Sequence, residues 1–474
     1  GVMALRDGLK WLTKRDTTTV AAAATLLALV VPGILCAENW DDHDRSGRTF
    51  ARDIGWNYLQ STLPNSIILN YGDNDTFPLW FNQEVDGVRP DVRIMNTSYL
   101  GGEWYIDEMK TRANEAAGVP FSLPRHKYTH CNEQIFVDPL VDRSVELKEA
   151  IAFVANDDPR TQVPLIDGTM ADFLPANLFA LPVNKENALR SGIVKEEDAH
   201  LMVDTVYFQI NKGVLYKSEL MLLDLLANFD WERPLYFTQP YILQGLGAKR
   251  QQSDGTSTPS LMDYLQFDGY AYRFVPILTP YEASWDIGRI DPDYAYPLLM
   301  ETFRYGNLED EEVYVDNFVQ YNLSASKARE AFARVAKEFI RRGEDDKALQ
   351  LLEEGLRRMP TKQVRFSESN TLPFIEAFYA MGEKERGDAL LREYAQCIME
   401  YIDYYLGFEG AQGALIENAL IEKLEQLEVL YQLVIVADRP ELGRDLNDYY
   451  RSLGYLDEEL YDFGTNYTLL DEAK

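Results

Sequence analysis

The feature that most constrains this chain is an uncharged run from Val20 to Ala37, Val-Ala-Ala-Ala-Ala-Thr-Leu-Leu-Ala-Leu-Val-Val-Pro-Gly-Ile-Leu-Cys-Ala. With the Thr17–Thr19 lead it approaches the ~20 apolar residues that cross a bilayer. Lys10, Lys14 and Arg15 precede it, and Glu38, Asp41, Asp42 and Asp44 follow it. The basic flank places the N-terminus in the cytoplasm and everything after residue 38 on the far side. A cleaved signal peptide is the competing reading, because a basic start, an apolar run and Ala37 fit one loosely. Leu35 sits where such a peptide wants a small residue, and the same leucine argues against a lipoprotein signal at Cys36. The chain opens on Gly1, with Met3 inside a segment that reads as the amphipathic end of something longer, so it is expected to be the tail of a larger protein.

The rest has globular composition. Of 474 residues, 46% are hydrophobic and 26% charged, room for two or three domains with ample core. The net charge of −31 argues against nucleic acid and against an anionic lipid surface, since both would repel it. Cys36, Cys131 and Cys397 lie far apart and indicate no disulfide framework, with a single Cys131–Cys397 bridge as the open alternative.

Helical spacing of Phe50, Ile54, Tyr58 and Leu59 predicts a helix from Ser46 to about Leu63, ended by Pro64-Asn65. A strand over Ser66–Tyr71 follows. A helix over Thr76–Val85 is next, with Pro78 in its first turn, where a missing N–H costs nothing. Then come a strand over Asp91–Ser98 and a helix over Glu103–Ala116. This alternation predicts a mainly parallel sheet. Residues 120–214 give only short apolar pieces. Ser218–Asn228 reads as a helix, Arg233–Thr238 as a buried strand, Gln251–Thr258 as a polar loop and Tyr270–Ile277 as the last strand.

Beyond Gly288 the pattern changes. Ala325–Pro360 reads as two helices joined at Arg341–Glu344, with Ala336, Gly343, Ala348, Leu352 and Pro360 near tetratricopeptide positions. Ala377–Tyr394 repeats the theme and Ala414–Ala437 adds a long helix. The expected division is residues 1–37 as juxtamembrane segment and transmembrane helix, 38–287 as an α/β domain, and 288–474 as an all-α tetratricopeptide-like repeat domain. An unrelated helical bundle is the alternative for the last.

Two polar clusters stand out. In Asn39-Trp-Asp-Asp-His-Asp-Arg-Ser-Gly-Arg48, Asp41, Asp42, His43 and Asp44 have the donors for a divalent cation, and Arg45 and Arg48 could fork onto phosphate or carboxylate. Helix capping and ion pairing is the plainer reading. Gly72-Asp-Asn-Asp-Thr76 sits at the predicted strand-to-helix turn, where open α/β sheets place ligands. Asp73-Asn74-Asp75 matches a short metal–diphosphate motif, and it equally suits a turn and an N-cap. The next strand leads to Asn96, Glu103 and Trp104, so a cleft lined by Asp73, Asp75, Asn96, Glu103 and Trp104 is expected. His126-x-x-x-His130-Cys131 has metal-ligand spacing in a loop context. No Gly-x-Ser-x-Gly elbow, phosphate-binding Gly-Lys-Thr loop or Cys-x-x-Cys pair occurs.

The stretches Asn39–Arg48, Gly72–Trp80, Gln83–Val85, Arg89–Arg93, Trp104–Asp107 and Arg233–Phe237 resemble a bacterial family of large polytopic membrane proteins, similar to protein O-mannosyltransferases. The likeness covers about residues 30 to 280. It implies lipid-linked sugar transfer to exported proteins, inner-membrane placement with the body in the periplasm, and catalysis in a multi-span half of type C glycosyltransferase character that these residues do not include. On that reading the apolar helix is the last of many spans.

Three functions compete. The chain is an exported, acceptor-positioning accessory part of a membrane glycosyltransferase, using a lipid-linked sugar donor and meeting a multi-span half or neighbouring membrane subunit. Or it is an independent metal-dependent enzyme with Asp41, Asp42, His43, Asp73 and Asp75 in one site. Or it is an envelope scaffold gripping a protein or peptide on its helical repeats, whose concave surface suits an extended chain.

Overall fold

The computed structural model describes residues 1–129, 133–164, 168, 170–247, 257–281, 287–323 and 325–454. Near the N-terminus, Thr18–Ala28 and Val30–Glu38 form a nearly continuous helix. Its 21 residues, Thr18–Glu38, are largely unburied and reach a mean hydropathy of 2.4, long and apolar enough to cross a membrane.

The α/β region is built on a six-stranded sheet: β1 (Ile67–Asn70), β2 (Arg93–Asn96), β3 (Leu235–Phe237), β4 (Leu265–Phe267), β5 (Tyr272–Phe274) and β6 (Arg289–Ile290), in the order β6-β4-β5-β3-β1-β2. β3, β1 and β2, at one end of the sheet, are parallel, with Ile68 opposite Tyr236 on one side and Ile94 on the other. β5 pairs antiparallel with both β3 and β4, and β4 pairs parallel with β6. Ile67, Ile68 and Leu69 are wholly buried, as expected of parallel strands covered on both faces. Tyr270–Ile277 is therefore not the last strand, since Arg289–Ile290 extends the sheet beyond it. The described residues of the weakly patterned stretch 120–214, with the two that follow it, form two small sheets, of four and three strands, beside this core.

The helices that flank the site are α1 (Phe50–Gln60), α2 (Asp73–Trp80), α3 (Glu103–Met109) and α4 (Lys217–Asn228). α2 begins three residues before the expected start, because Gly72, at φ +84°, turns the chain straight from β1 into the helix. Pro78 thus lies inside the helix, which widens to a π turn over Phe81–Val85. α3 stops at Met109 rather than Ala116, since the chain folds back so that a Cβ on Gly118 would lie 2.2 Å from the Lys110 carbonyl oxygen. α1 crosses α2 at Gly55, where a Cβ would lie 2.2 Å from the Pro78 carbonyl oxygen.

The C-terminal region is helical: α5 (Ala325–Arg341), α6 (Asp345–Arg358), α7 (Glu368–Ala380), α8 (Lys384–Leu406), α9 (Gly410–Val436) and α10 (Pro440–Ser452). They pair as three hairpins, turning at Gly343, Gly382 and Asp438, all with positive φ. Such left-handed residues end helices at little cost when they are Gly or Asp. One hydrophobic cluster runs through both regions. α5 is its pillar: Arg334 donates to the Ile287 carbonyl on the sheet side (2.7 Å), while Arg329 donates to the carbonyls of Met359 and Val364 (both 2.7 Å) on the helical side.

Candidate functional site

At the carboxyl ends of β1 and β3 the sheet meets the first turn of α5. A cleft of about 430 Å³ opens there, lined by Gln239, Tyr241, Gln244, Tyr272, Lys327 and Glu330 among others. Ligands of open α/β sheets bind at this edge, where strand ends and helix starts converge. Thr238 follows β3 directly, and Asp75 lies in the first turn of α2 after β1.

Asp75 is buried. Its Oδ2 accepts the Thr238 hydroxyl (2.5 Å) and the Tyr71 backbone N–H (3.1 Å), while Oδ1, equally enclosed, has no hydrogen-bond partner among the described residues. Burial raises its pKa above the ordinary carboxylate value, against the opposing pull of Thr238, the Tyr71 amide and Lys327. Lys327 enters from α5. Its Nζ donates to the Thr238 carbonyl (2.6 Å) and stands 5.2 to 5.5 Å from the ring centroids of Tyr58, Tyr270 and Tyr272, within the range at which an ammonium is drawn to aromatic faces. Burial pushes its pKa down to about 7, so it exchanges a proton near neutrality. Burial also raises the carboxyl of Glu330. The Lys327 amine and the Glu330 carboxyl, with opposed shifts, line the cleft, and Asp75 lies enclosed behind Thr238; such a pair can bind a polar group and move a proton.

The residues expected at this edge divide into two groups. Asn96 is internal: its amide donates to Thr76 (2.8 Å) and its carbonyl accepts the Ser98 N–H (2.8 Å), so it fixes the turn after β2. Asp73 is exposed on α2, its Oδ1 3.5 Å from the Tyr99 hydroxyl, and Asn74 beside it is half-buried. Glu103 opens α3, its Oε1 3.8 Å from Arg125, and Trp104 is exposed, its ring 6.4 Å from that of Tyr99. The single cleft expected from Asp73, Asp75, Asn96, Glu103 and Trp104 is thus divided: Asp75 turns inward toward Lys327, Asn96 is buried in the turn after β2, and Asp73, Glu103 and Trp104 frame an outer aromatic shelf.

The run after the apolar helix lies elsewhere. Trp40–His43 is one helical turn, and the side chains of Asp41 and Asp42 lie outside what is described. His43 Nδ1 lies 2.8 Å from the Asn39 carbonyl oxygen. Asp44 accepts the Ser46 N–H (2.9 Å), and hydrogen bonds from Ser46 hold its carboxyl below the ordinary value. Arg48 donates to Asp316 (3.1 Å) and lies over Tyr314, with Arg45 3.9 Å from the same carboxylate. Among the described residues no three His, Cys, Asp or Glu side chains converge to hold a metal. His126 lies 2.9 Å from Asp157, while His130 and Cys131 fall outside the described residues. Residues 251–256 of the expected polar loop also fall outside them. Cys397 is a free thiol.

Sequence reasoning missed Tyr58, Thr238, Tyr241, Tyr272, Lys327 and Glu330. Tyr58 and Tyr272 read as core. The one available signal was in α5, where Lys327, Glu330 and Arg334 follow helical spacing on one face while Arg329 lies on another. Charges that intrude on the buried side of an amphipathic helix point to partners beyond its own hairpin, because a buried charge must be paired.

No curated protein and no solved structure matches the chain. A family profile described as TMEM260-associated domain 2 matches residues 51–294, the segment that contains the sheet, α1 to α4, Asp75 and Thr238. That span is more than half of the 474 residues, and the chain therefore belongs to the TMEM260-associated domain 2 family.

Proposed function

We propose that this chain is the exported accessory portion of a membrane glycosyltransferase, resembling protein O-mannosyltransferases, that positions an acceptor beside a multi-span catalytic part. The apolar helix Thr18–Glu38, basic before and acidic after, supports an inner-membrane anchor with the body in the periplasm. The observation that carries the reading is the cleft at the ends of β1 and β3, where Asp75, Thr238 and Lys327 join the α/β region to the first repeat helix.

In this role the cleft holds a polar part of the acceptor, Glu330 accepts hydrogen bonds from it, Asp75 holds Thr238 in place behind it, and Lys327 adjusts its charge near neutral pH. The lipid-linked sugar donor belongs to the membrane part. A second groove, of about 480 Å³ and lined by Glu353, Arg357, Phe378, Arg386 and Glu393, supports a peptide grip on the helical hairpins, as concave repeat surfaces provide.

The test is transfer of a labelled sugar from a polyprenyl-linked donor to an exported acceptor, in membranes holding the complete enzyme. Lys327→Met and Asp75→Asn are expected to raise KM for the acceptor about tenfold while leaving kcat within about twofold, the signature of lost binding common to ground and transition states. Unchanged KM in both variants would remove the cleft from acceptor positioning.

A further inference from the structure

Outside the cleft, four aromatic rings run in series over α2, the turn after β2 and α3. Phe77, Trp80, Tyr99 and Trp104 stand with successive centroids 6.0, 6.2 and 6.4 Å apart. Phe77 is 52% and Trp104 61% exposed, so the ends of the row face solvent, while Trp80 and Tyr99 are half-buried between them. The row is braced from behind. Tyr99 meets Tyr105 edge to face at 5.5 Å, and the Tyr105 hydroxyl accepts the Asn96 N–H at 2.8 Å. Trp104 folds back over Gly102, where a Cβ would lie 2.8 Å from the indole nitrogen. Gly102 therefore makes the space that fixes the ring.

Polar groups edge the row. Asp73 lies against the Tyr99 hydroxyl, Asn74 follows it, and Glu103 precedes Trp104. Carboxylates among the rings are costly against acyl chains, because a charge leaving water must be paired. Arg125, 3.8 Å from Glu103 and 2.8 Å from Asp107, balances part of this charge, and the excess of carboxylate that Asp73 adds still repels phosphate and acidic peptide. A cation is drawn to rings and carboxylates alike, but Arg125 already takes that place beside Glu103 and Asp107, so what fits is a neutral ligand with an apolar face for the rings and hydroxyl groups at its edge for carboxylate and amide. A pyranose has that division: axial C–H groups on one face and equatorial hydroxyls around the rim. Trp80, Tyr99 and Trp104 are tilted by 41° and 40° from one to the next, with Phe77 edge-on at 67° to Trp80, so the row offers separate faces to successive sugar units rather than one flat plane.

We propose that the Phe77–Trp104 shelf is a binding site for neutral oligosaccharide, with Trp104 as its principal stacking surface and Asp73 and Glu103 as hydroxyl acceptors. Binding requires no donor and no transfer, so the site stands or falls separately from the acceptor role of the cleft.

The full chain in detergent is titrated with linear pentasaccharides of glucose, mannose and N-acetylglucosamine, following tryptophan fluorescence and saturation-transfer NMR. At least one is expected to bind at micromolar to millimolar concentration. Trp104→Ala is expected to weaken it about tenfold and Glu103→Gln about threefold, while Tyr207→Ala, on a peripheral strand, leaves it unchanged. Trp104 is exposed, so its truncation leaves the core intact, and an unchanged circular-dichroism melt verifies this. Absence of binding by all three sugars, or equal binding by Trp104→Ala, would overturn the proposal. So would brominated-lipid quenching, in nanodiscs, of the emission lost in Trp104→Ala, because the shelf would then be a membrane face.

Discussion

Asp44 and Asp75 lie in equally dense acidic runs, yet the structure treats them in opposite ways. Asp44 is exposed at the exit of the apolar helix, and Ser46 stabilises its charge. Asp75 is enclosed at a strand end, and burial disfavours its charge. The arginines of the first run are used in joining it to Asp316 and Tyr314. Nothing in the second run is basic, and its counter-charge, Lys327, arrives from a helix some 250 residues later. Density of polar residues is thus a poor guide to a site. The end of a buried parallel strand is a better one, because only there is a carboxyl held out of water beside a place where a ligand can enter.

The contrast can be broken most severely at Gly55. Its replacement by Ala forces a Cβ onto the Pro78 carbonyl and is expected to cost about 3 kcal/mol in chemical denaturation by overpacking. The damage falls on α2 and Asp75, leaving the Arg48–Asp316 pair in place. A cost below about 1 kcal/mol would show that α1 and α2 can separate freely.

Lys327→Met comes next. In the folded protein burial lets Lys327 release its proton at about 7, whereas the unfolded chain holds it to the ordinary lysine value of 10.5. Between these values the unfolded state binds more protons, so the parent gains stability as pH rises from about 7 toward 10.5. The variant is expected to lack that rise and to be more stable at pH 6 by on the order of 2 kcal/mol, since no buried ammonium remains. A parent profile flat over this range would mean the amine is solvated.

Asp75→Asn has a smaller effect. Its carbonyl oxygen can keep both hydrogen bonds while the buried charge disappears, so the variant is expected to be about 1 kcal/mol more stable at pH 7. Because the folded pKa is raised, the parent loses stability as pH climbs from 3.8 through that raised value, and the variant does not. Thermal melts from pH 4 to 7 read the difference. Asp44→Ala is the smallest change: its melting midpoint is expected to match the parent within error.

Much of the fold was legible in the sequence. Runs such as Ile67-Ile68-Leu69 are buried on both faces, and helices punctuated by Gly343 and Gly382 announce their turns locally. Residues 120–216 were not legible, because their short strands pair across small sheets rather than within an alternating pattern. The site was half legible. Gly72–Thr76 marked the strand-to-helix turn, but Thr238 and Lys327 reach it through tertiary contacts at separations that no local pattern encodes. Helix α5 carried the clue in charges on more than one face, but the partners of Lys327 and Arg329 lie in different regions of the chain, and the repeat spacing of Ala325–Pro360 does not point to them.

The proposed function puts the working surface at the cleft beside Asp75 and Lys327 and not at the run beside the membrane. Site-specific photocrosslinking in membranes tests it most directly, with a photoreactive residue in place of Gln244, in the cleft, or of Arg45, in the run. The account predicts that the exported acceptor is captured from position 244 and not from position 45. Capture from position 45 alone would contradict it.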